Sequence, residues 1–336
     1  MGVNRYSERN GGNMPTRISE QRPAPVDDLI RQEGLPESYR ETVEHYIRPL
    51  AEQVVGWQAQ EGRPIIVGIN GAQGTGKSTL ALFLQSLLVN VLGCSCARLS
   101  IDDIYLTRAE RLGLAENLHP LLATRGVPGT HDLLLGQQAI DRLITAGIDD
   151  ATPIPAFDKA MDDRVPRPEW PVYHGPASVI LFEGWCVGAM PDINDDHLRR
   201  PINDLERYDD ADGYWRGYVN DQLRDAYSWF FDQIDRLVML KAPSMDCVME
   251  WRTLQEHKLA QRTGTALKKG ELSDGVMTDA EVHRFIMHYE RLTRAMLAEL
   301  PTHADTVFFI DERHQIADRQ FNEQAAGDWR RSGARL

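Results

Sequence analysis

The chain has 336 residues, 42% hydrophobic and 26% charged, ordinary values for a globular protein and wrong for a collagen-like, disordered or membrane-embedded one. At about 150 residues per domain, the length allows two domains or one α/β core with insertions. A net charge of −13 repels phosphate backbones and anionic lipid surfaces, so neither a nucleic-acid nor a membrane partner is expected, and any anionic ligand needs a local basic pocket.

Residues 1–26 are rich in Asn, Gly, Arg, Ser and Pro without periodicity and are expected as a disordered tail. They lack the apolar core of a secretion signal, and Tyr6 stands where a myristoylation start needs Ser or Thr. Residues 27–62 read as a helical extension: Ser38 is a candidate N-cap, and Val43, Tyr46, Ile47, Leu50, Val54 and Trp57 recur at helical spacing.

From 63 to 315, short apolar runs alternate with helical stretches. The spacing predicts strands over 65–69, 96–101, 152–157 (weakly), 179–182, 237–240 and 306–310. It predicts helices over 77–92, 132–145, 214–231, 244–261 and 279–300, the last opening on a capping box from Thr278 to Glu281. Such alternation makes a mainly parallel sheet covered on both faces, a three-layer α/β sandwich. Residues 103–130 and 184–213 break the pattern and read as insertions over one end of the sheet; Asp192 to Asp212 carries eight acids against three arginines. Residues 316–336 are expected as a C-terminal tail. No window approaches the ~20 apolar residues of a membrane span. Cys94, Cys96, Cys186 and Cys247 are too few for a disulfide scaffold, and the Cys94-Ser95-Cys96 pair has no second pair to complete a zinc site, so they read as thiols in a reducing cytosol.

The strongest motif is Gly71-Ala72-Gln73-Gly74-Thr75-Gly76-Lys77-Ser78, followed by Thr79, between the first strand and a helix. It matches GxxxxGK[ST] in the context that motif requires, the P-loop. Glycines let consecutive amides converge on phosphate oxygens at the helix N-terminus, Lys77 adds a point charge, and Ser78 offers a hydroxyl to Mg²⁺. No guanine-reading NKxD motif follows, so ATP is the expected nucleotide. Glu183, at the carboxyl end of the 179–182 run, is placed to serve the Mg²⁺ as well.

Asp102 follows the second strand and therefore belongs at the same sheet edge, where a carboxylate can orient and deprotonate an attacking hydroxyl. Asp103 and Tyr105 lie beside it. Thr130 is placed to cap the helix that follows the turn over 125–132. Arg125, His131, Lys159 and Arg164 would concentrate positive charge near an acceptor such as a carboxylate, with Asp132 among them. The residues alone leave three readings open: a kinase for a small anionic metabolite, a kinase for uridine, pantothenate or a sugar phosphate, and a nucleotide-dependent switch or chaperone ATPase. No protein partner can be read from the sequence.

Through the P-loop, the Asp-x-x-Tyr of Asp102 to Tyr105 and the Glu183-Gly184 strand end, the chain resembles the phosphoribulokinase, uridine kinase and pantothenate kinase group of P-loop kinases. More narrowly it resembles the D-glycerate 3-kinases, through Ser100 to Thr107, Arg125 to Leu133, Pro155 to Lys159, Phe182 to Gly188 and Trp251-Arg252, over about residues 40–315. Ile104 departs from the Phe common in the wider group, and Ala156 from the larger residue usual in glycerate kinases. The resemblance implies a P-loop kinase domain over 63–315, with 103–130 and 184–213 on the acceptor side and a lid over 244–278 that includes Arg252. It also implies ATP-dependent phosphorylation of the 3-hydroxyl of glycerate, with Asp102 as base.

Overall fold

The structure, a computed structural model, describes residues 23–263 and 277–322. Residues 1–22 of the tail expected over 1–26, residues 264–276 of the expected lid and residues 323–336 lie outside the described residues, and Val26, the last residue of that expected tail, instead opens a helix.

The chain enters through α1 (Val26–Gln32) and α2 (Tyr39–Thr42), which runs through a π-helical turn, Val43–Ile47, into α3 (Arg48–Glu61). The expected cap at Ser38 is not made: that residue is itself in the αR conformation and its side chain accepts no capping hydrogen bond. Next come β1 (Ile65–Gly71), α4 (Lys77–Asn90), β2 (Cys96–Ser100), α5 (Arg108–Asn117) and α6 (Leu133–Thr145). Four short strands follow, β3 (Ala151–Pro153), β4 (Phe157–Asp158), β5 (Asp163–Arg164) and β6 (Val172–His174). The core resumes with β7 (Val179–Gly184). After it come α7 (Asp195–Arg199), α8 (Asp204–Tyr208), α9 (Tyr214–Gln222), a π turn Leu223–Tyr227 and α10 (Ser228–Phe231). The described chain closes with β8 (Arg236–Lys241), α11 (Met245–Thr263), α12 (Asp279–Glu299), β9 (Thr306–Ile310) and β10 (Ile316–Phe321).

Six strands form one sheet in the order β10-β9-β8-β1-β7-β2, parallel except for β10, which pairs antiparallel with β9. Side chains alternate across the strands with period two, and the burial divides accordingly. Ile65, Val67, Ile69, Val179, Leu181, Val238 and Leu240 pack with α3 and α4 on one face. Ile66, Ile180, Phe182, Leu237 and Met239 pack with α6, α10 and α12 on the other. Each such side chain, removed fully from water, contributes about 1.5–3 kcal/mol before the cost of chain ordering. Two-sided burial is why these strands are continuous apolar runs, as the sequence leads one to expect.

Two expectations are corrected. The weak strand over 152–157 does not join the sheet. Pro153 and Pro155 lack the N–H a ladder needs, so the segment divides between the β3–β6 ribbon and the β4–β5 hairpin. The expected C-terminal tail begins instead as edge strand β10, whose largely exposed, polar side chains hide its pairing. The Thr278 to Glu281 capping box is present at α12, and Thr107 with Glu110 forms a second at α5. The 103–130 and 184–213 insertions meet in a small satellite core of Leu121, Leu122, Val127 and Leu205, completed by Trp215 of α9. Among the described residues no helix is long and apolar enough to cross a membrane.

Candidate active site

The β1–α4 connection has the shape of a phosphate cradle. Gly74 and Gly76 adopt φ of 80° and 87°, the left-handed region that glycine enters without strain. Gly76 stands at the N-cap of α4 and no side chain caps that helix, so its first-turn amides remain available to an anion, with the helix dipole behind them. Thr75 Oγ1 donates to the Ala72 carbonyl at 2.8 Å and fixes the turn, while Gly71 and Ala72 are buried at the end of β1. Gln73 Oε1 is a buried acceptor without a partner. Lys77, Ser78 and Thr79 form the first turn of α4. Helix α11 closes against the cradle: a Cβ on Gly74 would stand 3.0 Å from that of Trp251.

Parallel register brings the acidic residues to the same edge. Ser100 and Ile69 both pair with Glu183, so Asp102 emerges just past the level of Glu183 at the end of β7, one strand over from β1. Ser78 Oγ donates to Glu183 Oε1 at 2.8 Å, and Glu183 Oε2 is buried with no partner. An orphaned carboxylate oxygen beside a hydroxyl suits Mg²⁺, which takes one or two protein oxygens and keeps several waters. Among the described residues no group of three or more His, Cys, Asp or Glu forms a closed metal cage.

Asp102 is held at both oxygens. Tyr105 Oη donates to Oδ1 at 2.6 Å, and Lys159 Nζ, from the β4–β5 hairpin, lies 2.5 Å from Oδ2. Burial pushes this carboxyl up, but the charges of Lys159 and Lys77 and the two hydrogen bonds outweigh it and hold it well below the usual carboxylate range. Asp102 raises the Lys159 ammonium in return. Asp103 is the opposite case: burial, then the neighbouring Asp102 charge, push it up to about 7. In the unfolded chain the same carboxyl ionises in the ordinary range, so between that range and about pH 7 the folded state binds the extra proton. Its stabilisation is complete at low pH and is lost as pH rises through 7. Asp103→Asn is therefore expected to raise stability at pH 8 by roughly a few kcal/mol and to change it little at about pH 4, where the unfolded carboxyl is still largely protonated. Thermal melts of both proteins at the two pH values measure the difference.

The basic set converges only in part. Arg125 is paired with Asp162 and lies over the Phe157 ring at 5.6 Å. Arg164 donates to the Tyr105 carbonyl at 2.9 Å and to Asp132 Oδ2 at 3.1 Å, while Asp132 Oδ1 caps α6 through Leu135 N. Thr130, expected as that cap, instead closes its own loop, accepting from Gly126 N and donating to Val127 O. His131 supplies no charge. It is buried, stacks on Tyr105 with ring centroids 4.8 Å apart and lies 2.5 Å from Tyr227 Oη, and burial lowers its pKa to about 3. Arg252 pairs with Glu256 at 2.5 Å and lies over the Phe285 ring.

Four residues absent from the expected set hold this arrangement. Arg111, 1% exposed, ties α5 to the Leu106, Ala123 and Asp162 carbonyls. Trp185 Nε1 donates to the Gly126 carbonyl, Tyr289 Oη to that of Arg125, and Tyr227 Oη accepts from Gly129 N. Each reaches across 59 or more positions except Arg111, and a lone aromatic or arginine in a helix carries no sequence signal for such a reach.

No family model matches the chain. It is 36% identical over 236 residues to the uncharacterized kinase mug58 of Schizosaccharomyces pombe, spanning 68% of this chain and 79% of that one. It is 30% identical over 251 residues to the chloroplastic D-glycerate 3-kinase of Arabidopsis thaliana, spanning 72% of this chain and half of the plant protein. The solved D-glycerate 3-kinase of Cryptococcus neoformans var. grubii superposes with a TM-score of 0.66 at 27% identity, covering 83% of this chain and 99% of the fungal one.

Proposed function

The chain belongs to the P-loop kinase family that includes mug58 and the D-glycerate 3-kinases, and on that premise we propose that it transfers the γ-phosphoryl group of ATP to the 3-hydroxyl of D-glycerate. The single observation that carries the reading is the convergence, at one sheet edge, of Asp102, the Lys77 charge and the Ser78–Glu183 pair. Phosphoryl transfer asks for alignment and charge neutralisation more than for covalent chemistry.

In this reading the amides of residues 71–79 and Lys77 hold the β- and γ-phosphates. Ser78 Oγ and Glu183 Oε2 would hold Mg²⁺, which when bound neutralises charge on the transferring group. Asp102 accepts the hydrogen bond of the attacking hydroxyl and then its proton as the new O–P bond forms. Lys159 has two suitors. An incoming carboxylate competes with Asp102 for its ammonium, and loosening that pair raises the basicity of Asp102 at the moment the acceptor is in place. Arg125 and Arg164 border the same space, Tyr105 fixes Asp102, and neutral His131 braces Tyr105. Asp103 and Asp132 hold the walls: Asp103 Oδ1 takes Phe157 N at 3.4 Å, anchoring the hairpin that carries Lys159. Helix α11, with Arg252, covers the cradle, which excludes the water that would hydrolyse ATP. The four unpaired thiols favour a reducing cytosol as its setting.

ADP release with D-glycerate, L-glycerate, uridine, pantothenate and ribulose 5-phosphate, each in turn, tests the proposal. The expected result is turnover with D-glycerate at least about 10²-fold above the others, the discrimination a site of buried, paired polar groups can deliver. Preference for another acceptor would reassign the substrate, and slow hydrolysis indifferent to all five would favour a nucleotide-dependent switch.

A further inference from the structure

Behind Asp102 lies a row of three buried aromatic rings, Tyr105, His131 and Tyr227. Tyr105 Oη donates to Asp102 Oδ1 at 2.6 Å, and His131 stacks on the Tyr105 ring with the two planes 29° apart. Tyr227 stands edge-on to His131, ring centroids 5.7 Å apart, with its Oη 2.5 Å from His131 Nδ1. Backbone pairing secures the first of the ring contacts. Tyr105 and His131 face each other across an isolated antiparallel bridge, Leu106 N donates to the Thr130 carbonyl at 2.9 Å, and Asp132 N donates to that of Ile104 at 2.6 Å. The second contact has its polar part in one hydroxyl, brought from 96 positions along the sequence.

Both sides of that second contact are locally unusual. Tyr227 closes the π turn Leu223–Tyr227, a rare helical geometry that recurs at functional sites. Gly129, whose N–H donates to Tyr227 Oη at 3.0 Å, has a φ of 97°, and a Cβ there would stand 2.6 Å from the Tyr218 ring. Glycine alone enters that backbone region freely. With the Gly129 N–H donating to it, Tyr227 Oη gives its own hydrogen to His131 Nδ1. Burial lowers the pKa of His131 to about 3, so Nδ1 remains an acceptor throughout the neutral range. A phenylalanine would fill the space of Tyr227 equally well. What the tyrosine adds is this pair of hydrogen bonds, which fixes the plane of the imidazole beside Tyr105.

We propose that Tyr227 is a positioning residue for phosphoryl transfer: its hydroxyl sets the His131 ring against Tyr105, and Tyr105 thereby keeps Asp102 aimed at the incoming hydroxyl. The inference rests on the reading of Asp102 as the group that receives the acceptor's proton. Alignment of the reacting groups is most of what this chemistry asks of the protein, so a small loss of aim at Asp102 slows transfer without weakening the grip on the nucleotide. It also raises the share of ATP lost to water, because the cradle still presents the γ-phosphate while the alcohol is out of line. Since Tyr227 acts through Tyr105, its effect vanishes when the link from Tyr105 to Asp102 is cut.

A double-mutant cycle on the full-length protein tests this, with kcat and phosphoester formed per ADP measured for the unaltered protein, Tyr227→Phe, Tyr105→Phe and the double variant in Mg²⁺, ATP and D-glycerate. Tyr227→Phe is expected to lower kcat about tenfold, within the range coupled neighbours show, with ATP affinity kept within twofold and less ester per ADP. In the Tyr105→Phe background the same change is expected to cost less than twofold. A merely structural hydroxyl would lower kcat by the same factor in both backgrounds and leave the ester-to-ADP ratio unmoved; either result overturns the proposal, as does a kcat within twofold for Tyr227→Phe. His131→Phe keeps a ring on Tyr105 but cannot accept from Tyr227, and it decides the matter through the same cycle if Tyr227→Phe does not fold: a loss undiminished in the Tyr105→Phe background overturns it. An unaltered protein that forms no ester sinks the transfer reading and this inference together, whereas transfer by the unaltered protein with independent variants sinks this inference alone.

Discussion

Asp102→Asn is expected to lower kcat by about 10²–10⁴-fold, the range a positioned proton acceptor contributes, while ATP affinity stays within about threefold. The change keeps the size of the side chain and removes its charge. Tyr105 Oη can still donate to an amide oxygen, so the local geometry should survive, but Lys159 loses its counter-ion at 2.5 Å and the incoming hydroxyl loses its acceptor. Because that interaction strengthens only as the proton leaves, kcat and kcat/KM should fall together. Steady-state kinetics with nucleotide titration by fluorescence separates the two effects. Turnover within threefold of the unaltered enzyme would remove Asp102 from the chemistry and leave it a structural anchor for the hairpin.

Lys77→Ala is expected to cost on the order of 10³-fold in kcat, the scale seen when one preorganised electrostatic contact to developing charge is deleted. The α4 amides would still bind phosphate, so a weakened but measurable affinity for ATP should remain. A second consequence follows from charge: Lys77 is among the cations that hold the Asp102 carboxyl low, and its removal moves that carboxyl back up. Single-turnover experiments at saturating ATP isolate the chemical step. A rate unchanged within tenfold would mean that the γ-phosphate sits elsewhere.

The central strands and the P-loop were legible because their physics is local. A strand buried on both faces must be apolar throughout, as at 179–182, and a phosphate cradle needs glycine where Gly74 and Gly76 turn left-handed. What stayed hidden depends on partners far along the chain. Lys159 reads as one of the acceptor-side cations, but nothing local shows that the hairpin folds it onto Asp102, 57 positions away. His131 looks like a cation for an anionic acceptor, yet stacking on Tyr105 and contact with Tyr227 bury it neutral. Thr130 and Asp132 compete for one cap with similar propensities, and the loop closure made by Thr130 leaves the helix to Asp132. Strand β10 escaped because an exposed edge needs no apolar pattern.

The most direct measurement is the ³¹P NMR spectrum of the unaltered chain incubated with ATP, Mg²⁺ and D-glycerate. A phosphomonoester resonance coupled to the C3 methylene protons should grow one-for-one with ADP. Inorganic phosphate appearing in its place, with no ester signal, would contradict transfer to the hydroxyl that Asp102 is held to receive.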